Sequence, residues 1–252
     1  EAEAILAVQT PPDPDTVEAI EQIRLAPAQR LATLVDDPLG CSLTAIAADL
    51  ARLSRIGWDV PVDLFWQPHA RWSDLRPALW EMRRAKFPDE LALMQRAIAA
   101  TEAAYRWAAA NIRPGLTEVD LFAGMQAAAA AEAGEVLGEF GNDFQIGSPG
   151  GPPRRRAAEA GEVAVFDLSV TVRGYRSDMC RSFVVGGAPS PAQEAAHRAI
   201  LEVLHGIADS VRPGVSCRAV YESARDKLDG YRGWAFPHHL GHGIGLSAHE
   251  AP

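Results

Sequence analysis

Two helices of this 252-residue chain are set to end in the same tripeptide, Arg113-Pro114-Gly115 and Arg212-Pro213-Gly214, 99 residues apart. The interval is kept on both sides of the turn. Before the first tripeptide, Pro88 stands where an N1 proline opens a helix, and Leu91, Met94, Ile98, Thr101, Tyr105, Ala108 and Ile112 step by three and four along one face. Before the second, Ser190-Pro191-Ala192-Gln193 forms a capping box with proline at N1, and Ile200, Leu204, Ile207 and Val211 make a stripe. After each turn a hydroxyl residue, Thr117 or Ser216, caps a further helix. In the second of these, Val220, Tyr221 and Ala224 take the places of Leu121, Phe122 and Met125. A repeat this long is no solenoid period. It predicts one α-α-β unit used twice about a pseudo-two-fold, with helices covering a curved antiparallel sheet, which is an α+β fold.

Between the two helix pairs lies FDLSVTVRGYRSDMCRSF, Phe166 to Phe183. The run Val163 to Val170 is rich in β-branched and aromatic residues, Arg173-Gly174 punctuates it, and Tyr175 to Val185 resumes with strand formers, the pattern of a hairpin. A turn centred between Val172 and Arg173 sets Asp167 directly opposite Asp178, with Cβ atoms roughly 5 Å apart on one sheet face. Like charges so placed repel. Either the pair is solvated on a surface hairpin, or a divalent cation, or two about 4 Å apart, compensates it. The counterpart of Asp167 in the second half would fall past the final residue, so the second half is expected to be partial.

A formal charge of -9, without a basic patch interleaved with aromatics, argues against nucleic acid as a partner. No apolar run is long enough to span a bilayer, and the acidic, proline-rich start is unlike a signal peptide. Cys41, Cys180 and Cys217 are odd in number and widely spaced, which fits a reducing compartment and a cytoplasmic protein. Cys180, inside the hairpin, reads as a small buried hydrophobe. Residues 1–85, broken by prolines from Pro11 to Pro77, read as short helices and loops in a smaller domain, with helical spacing over Ser42 to Arg55. Trp58, Phe65, Trp66, Trp72 and Trp80 there fit core packing or a subunit interface. The link Arg83-Arg84-Ala85-Lys86-Phe87 leads into a main domain over residues 86–252.

The last stretch, FPHHLGHGIGLSAHEAP from Phe236, holds four of the seven histidines. His238, His242 and His249 are interleaved with Gly241, Gly243 and Gly245, which let the backbone pass close to whatever the imidazoles bind. Such a density of histidine fits a metal or catalytic site better than an exposed polar loop. Imidazole with carboxylates suits Mn, Co, Fe or Zn better than Ca.

Taken together, HHLGHGIGLSAHE, the two aspartates eleven apart in the hairpin, the two RPG helix ends and RRAKFPDELALM resemble the pita-bread metallopeptidases: creatinase, aminopeptidase P and prolidase. The resemblance covers roughly residues 80–252. It implies a pita-bread fold and a dinuclear centre in which Asp167, Asp178 and His242 are ligands, completed by two glutamates from later strands. A hydroxide bridging two divalent ions, Mn, Co or Zn, would attack the scissile carbonyl of a short peptide, with proline after the cleaved bond. His238 and His249 resemble the substrate-side histidines that hydrogen-bond the substrate or the tetrahedral intermediate. His239 is expected to be structural and Glu250 to orient its neighbours without binding metal. A homodimer is the expected assembly.

Two departures stand out. Only ten residues follow His242, so both glutamates are missing and this stretch alone is expected to hold metal weakly. The chain is then a fragment, draws those strands from elsewhere, or is an inactive relative. The loop GNDFQIGSPGGPPRRRAAEAGE also lacks the histidine that usually precedes the hairpin and carries Arg154, Arg155 and Arg156, a solvated charge run or a binder of a substrate carboxylate. The alternatives to a peptidase are a creatinase-like, metal-independent C–N hydrolase and a non-catalytic binding module on the same fold.

Overall fold

The computed structural model describes residues 5–8, 22–25, 51–52, 54–58, 72–141, 143–148, 150–230, 233–236 and 238–251. The chain divides into two compact units, residues 1–79 and 80–252. In the first, β1 (Ile5–Val8) pairs in parallel with β2 (Gln22–Leu25), and β3 (Ile56–Trp58) with β4 (Trp72–Asp74). These strands correct the reading of this segment as helices and loops. Runs of three or four residues show almost no alternation, and parallel partners lie a crossover apart in sequence. Most of the helix expected over Ser42 to Arg55, with Phe65 and Trp66, falls outside the described residues. Asp74 accepts the Arg76 N–H at 3.0 Å and opens α1 (Arg76–Arg84), within which the first unit ends.

In the second unit, Pro88 opens α2 (Pro88–Asn111), whose first turn is closed by the Glu90 carboxylate accepting the Phe87 N–H at 2.7 Å. The Arg113 to Gly115 turn needs φ +90 at Gly115. Thr117 then caps α3 (Glu118–Ala133), its hydroxyl accepting the Asp120 N–H while Asp120 accepts the Thr117 N–H. The second pair repeats this. Ser190 and Gln193 cap α4 (Pro191–Ala208) reciprocally, Gly214 has φ +85, and Ser216 caps α5 (Cys217–Leu228). The duplication extends to the interiors. Val203, Ile207, Val220 and Ala224, the buried apolar residues of α4 and α5, each follow a buried residue of the first pair by 99: Ala104, Ala108, Leu121 and Met125.

The inward face of α4 corrects the stripe read from the sequence, because Ile200, Leu204 and Val211 are exposed while Val203 and Ile207 meet α5. On α2, Thr101, Tyr105 and Ala108 are buried as expected, but Leu91 is exposed and Ala97, Ala100 and Ala104 are fully buried. Small side chains there let α2 and α3 approach tightly, which a count of large apolar residues overlooks.

These helices cover a three-stranded antiparallel sheet in which β6 (Val163–Leu168) lies between β5 (Asp143–Ile146) and a last strand, Met179–Val184. Between β6 and β9 (Met179–Val184) a short ladder joins β7 (Thr171–Val172) to β8 (Tyr175–Arg176). Both turn residues have positive φ, Arg173 at +48 and Gly174 at +87, the requirement of a type I′ hairpin turn. That turn moves the hairpin centre one residue along. Asp167 therefore pairs with Cys180, which corrects the direct opposition of Asp167 and Asp178. The slip is of two residues, so Asp178 keeps the face of Asp167 and becomes its diagonal neighbour. Behind the sheet, Phe144 and Phe166 stack at 4.2 Å, flanked by Phe122 and Phe183.

Glu118 ties helix to sheet. Its side chain is fully buried and accepts from Ile146 N at 2.9 Å, Arg154 N at 2.8 Å and the Arg154 guanidinium at 2.6 and 2.9 Å. Burial acts to raise its pKa, and Arg154 with these two N–H groups outweighs burial and holds it below the usual range. Arg156 is likewise spent on Glu162, so two of the three arginines considered as substrate binders are internal partners. Arg155 is exposed and near Asp120. Among the described residues no helix is long and apolar enough to cross a membrane.

Replacing Glu118 by alanine leaves two backbone donors and a cation without their acceptor and is expected to cost about 3 kcal/mol in urea unfolding. The ion pair stabilises fully above the ordinary glutamate pKa of about 4.3. It is lost as pH falls through the lower folded value, so the stability gap between the parent and Glu118→Gln should close on acidification.

Candidate metal centre

Along β6 burial alternates. Phe166 and Leu168 are buried on the helix side, which turns Asp167 to the other face. There Asp167 pairs across β5 with Asp143 and across β9 with Cys180. Asp143 was not singled out in the sequence, because nothing local links it to a strand more than twenty residues away; its carboxylate accepts Gly151 N–H at 2.7 Å. Cys180 is exposed, not buried as expected. Its sulfur is nonetheless packed closely enough that desolvation, followed by the field of Asp167 and, more weakly, of Asp143 and Asp178, pushes the thiol up to about 11. Negative charge is thus concentrated on this face.

The histidine segment folds back on itself. Gly243 and Glu250 exchange backbone hydrogen bonds at 2.9 and 2.8 Å, and this bridge brings the rings of His242 and His249 to 4.1 Å between centroids. Glycine is required at Gly243, where a Cβ would stand 2.7 Å from the Ala251 carbonyl oxygen. The Arg176 N–H donates to the Gly245 carbonyl at 3.0 Å and stitches the segment to the hairpin. As a result His242 Nε2 lies 3.4 Å from Asp178 Oδ2.

The other nitrogen of His242 fixes what Nε2 can do. Nδ1 lies 2.9 Å from the Gly243 carbonyl oxygen, which only accepts, so Nδ1 carries the proton. Neutral His242 then turns the Nε2 lone pair toward a carboxylate. Two acceptors this close need a positive species between them, a proton on Nε2 or a metal ion. A ring whose second nitrogen donates to a backbone carbonyl is the arrangement that orients metal-ligating histidines.

Asp167 shares the hairpin face with Asp178. His249 lies beside His242 with its ring tilted by 42°, and exposed His238 donates from Nδ1 to the His239 carbonyl at 2.9 Å. His239 touches all three other rings, at 3.9, 5.5 and 5.9 Å, and desolvation, then those neighbours, lowers its pKa. Among the described residues, no three His, Cys, Asp or Glu side chains converge as a complete metal-binding group. The convergent pair is Asp178 with His242.

Residues 92–252 match Metallopeptidase family M24. The chain belongs to this family. It is 29% identical over 186 residues to the Xaa-Pro dipeptidase of Lactobacillus helveticus, covering 71% of this chain and 50% of that one. The prolidase from Pyrococcus furiosus superposes with a TM-score of 0.64 at 26% identity, over 72% of this chain and 55% of the prolidase. The X-Pro aminopeptidase from Thermotoga maritima gives 0.76 at 23% identity, over 98% of this chain and 70% of the other, a likeness of fold. The architecture is the pita-bread fold, and the M24 chain spans about half the length of the curated relatives it matches.

One further group supports the histidines of this M24 chain. The Glu250 side chain is almost completely buried and meets Lys86 Nζ at 2.9 Å, Arg83 Nη2 at 2.5 Å and the Ser247 N–H at 3.2 Å. Burial acts to raise its pKa, and Lys86, the Ser247 N–H and Arg83 outweigh it, so the carboxylate stays charged. The basic link before α2, read from the sequence as a connection, is therefore the clamp on the histidine segment. Gly245 is confined by the same carboxylate, which a Cβ would meet at 2.8 Å. Glu250→Ala should lower unfolding stability by about 3–5 kcal/mol, measured by urea titration, because it strands two cations. Restoring apolar character on both sides, as Lys86→Met with Glu250→Leu, should recover part of the loss.

Proposed function

We propose that this chain forms the metal- and substrate-binding part of a peptidase that cleaves short peptides at Xaa-Pro bonds. Asp167, Asp178 and His242 hold the divalent metal, manganese, cobalt or zinc by the chemistry of carboxylate and imidazole donors. The observation that carries the reading is the contact between Asp178 and His242, two groups from distant parts of the chain held 3.4 Å apart through Nε2 while Nδ1 is engaged by the Gly243 carbonyl. When bound, two such ions supply Lewis acidity, polarising a peptide carbonyl and lowering the pKa of water.

The side chains supply the rest. Asp143, Asp167 and Asp178 concentrate the negative charge that makes a cation favourable on this face. His242 presents its lone pair in a fixed tautomer. His249 and His238 are assigned to the substrate, as imidazole donors toward the scissile carbonyl oxygen and the charge that develops there. Family members named for this activity, the Xaa-Pro dipeptidase and the prolidase, support the substrate class.

The test uses the native full-length gene product, stripped by a chelator and reloaded with Mn or Co. Release of the N-terminal residue from an Xaa-Pro dipeptide or tripeptide should depend on the metal. Asp178→Asn and His242→Ala should each lower kcat/KM by on the order of a hundredfold or more. Undiminished turnover in the chelated protein or in both variants would refute the proposal.

A further inference from the structure

Asp178 stands between two ladders. Its strand is paired at Tyr175–Arg176 and again from Met179, and Ser177 and Asp178 lie in the gap. Both chain neighbours of Asp178 are gripped from behind by one face of α2. Thr101 and Tyr105, one helical turn apart, are both buried.

The Thr101 hydroxyl lies 2.6 Å from the Ser177 hydroxyl and 2.9 Å from the Ala97 carbonyl oxygen, and Ser177 Oγ lies 3.0 Å from Val170 N. Ser177 Oγ accepts from the Val170 N–H, has the Val170 carbonyl as a further, longer acceptor at 3.4 Å, and shares a hydrogen bond with the Thr101 hydroxyl, while the Ser177 N–H donates to the Val170 carbonyl at 3.0 Å; α2 is thereby joined through Thr101 to the residue before Asp178. The Tyr105 hydroxyl reaches the carbonyl oxygens of Met179, at 2.5 Å, and Phe166, at 3.0 Å. Met179 directly follows Asp178, and the Phe166 carbonyl belongs to the peptide unit that leads into Asp167. The single Tyr105 proton is shared between these two acceptors, chiefly with the nearer Met179 carbonyl, so one hydroxyl sits against the backbone beside both aspartates.

This arrangement answers a mechanical need. With Asp143, Asp167 and Asp178 on one face, repulsion pushes the carboxylates apart. Asp178 has no regular ladder of its own to resist that push. Buried hydroxyls cost desolvation unless they are satisfied, and here their partners flank the aspartates. We propose that Thr101 and Tyr105 are positioning residues that hold Asp178, and through Phe166 also Asp167, in place for metal from the far side of the sheet. The inference deepens the proposed function, since it takes Asp178 to be a ligand.

The test compares Tyr105→Phe, Thr101→Val and Thr101→Ser with the parent chain and with Ile207→Val, a core control in the α4–α5 cluster. Amide hydrogen exchange in the metal-free chain reads the positioning directly. Tyr105→Phe and Thr101→Val should speed exchange over residues 177–180 by about tenfold or more relative to β5, while Thr101→Ser, which keeps the hydroxyl, and Ile207→Val should not. Affinity for Mn or Zn should weaken about 10- to 100-fold in the same two variants only. Unchanged local exchange in Thr101→Val, or equal effects from Ile207→Val, would overturn the proposal. Should the parent bind no metal, the metal-centre reading falls, and exchange alone still decides whether α2 holds this segment.

Discussion

The crowding of like charge on one hairpin face sets the terms for the rest of the structure. Asp143 and Asp167 pair across neighbouring strands, Asp178 lies diagonally beyond, and the Nε2 of His242 faces the last of them. None of this is favourable in isolation. It persists because the opposite side of the same strands is a dry aromatic core, with Phe144 on Phe166, packed on helices whose alanines allow close approach. Stability is supplied on one face and charge is presented on the other.

Two buried glutamates extend this division of labour. Glu118 fastens the loop after β5, which carries Arg154, to the start of α3. Glu250 fastens the histidine segment to the basic link before α2. In each case a carboxylate that would be costly alone is charged and satisfied by cations and backbone N–H groups. The segments so tied have little secondary structure of their own, and fixed hydrogen bonds take the place of a ladder.

What could be read in the sequence was whatever repeats or punctuates locally. The 99-residue offset, the four helix starts, three capped by Thr117, Ser190 and Ser216 and one opened by Pro88, the hairpin and its two aspartates, and the glycine-flanked histidines all announce themselves within a few residues, and the structure contains them. The register did not, because it turns on whether Arg173 accepts positive φ, a choice settled by the twist of the strands. Asp143, Arg83 and Lys86 were missed as site residues because their partners are remote in sequence. On α4 the size of a side chain does not mark burial, since Ile200 and Leu204 are exposed, whereas the offset from Ala104 and Ala108 marks Val203 and Ile207. The strands of the first unit were too short to leave a pattern.

The central claim is that His242 Nε2 and the hairpin carboxylates share a cation. Nitrogen-15 NMR of labelled histidine during Zn titration, at a pH where imidazole is neutral, tests it most directly. The account predicts that His242 Nε2 shifts to a metal-coordinated position while Nδ1 stays protonated on the Gly243 carbonyl, and that Asp178→Asn weakens the response. A His242 signal that ignores zinc, or a proton found on Nε2 in the neutral ring, would contradict it.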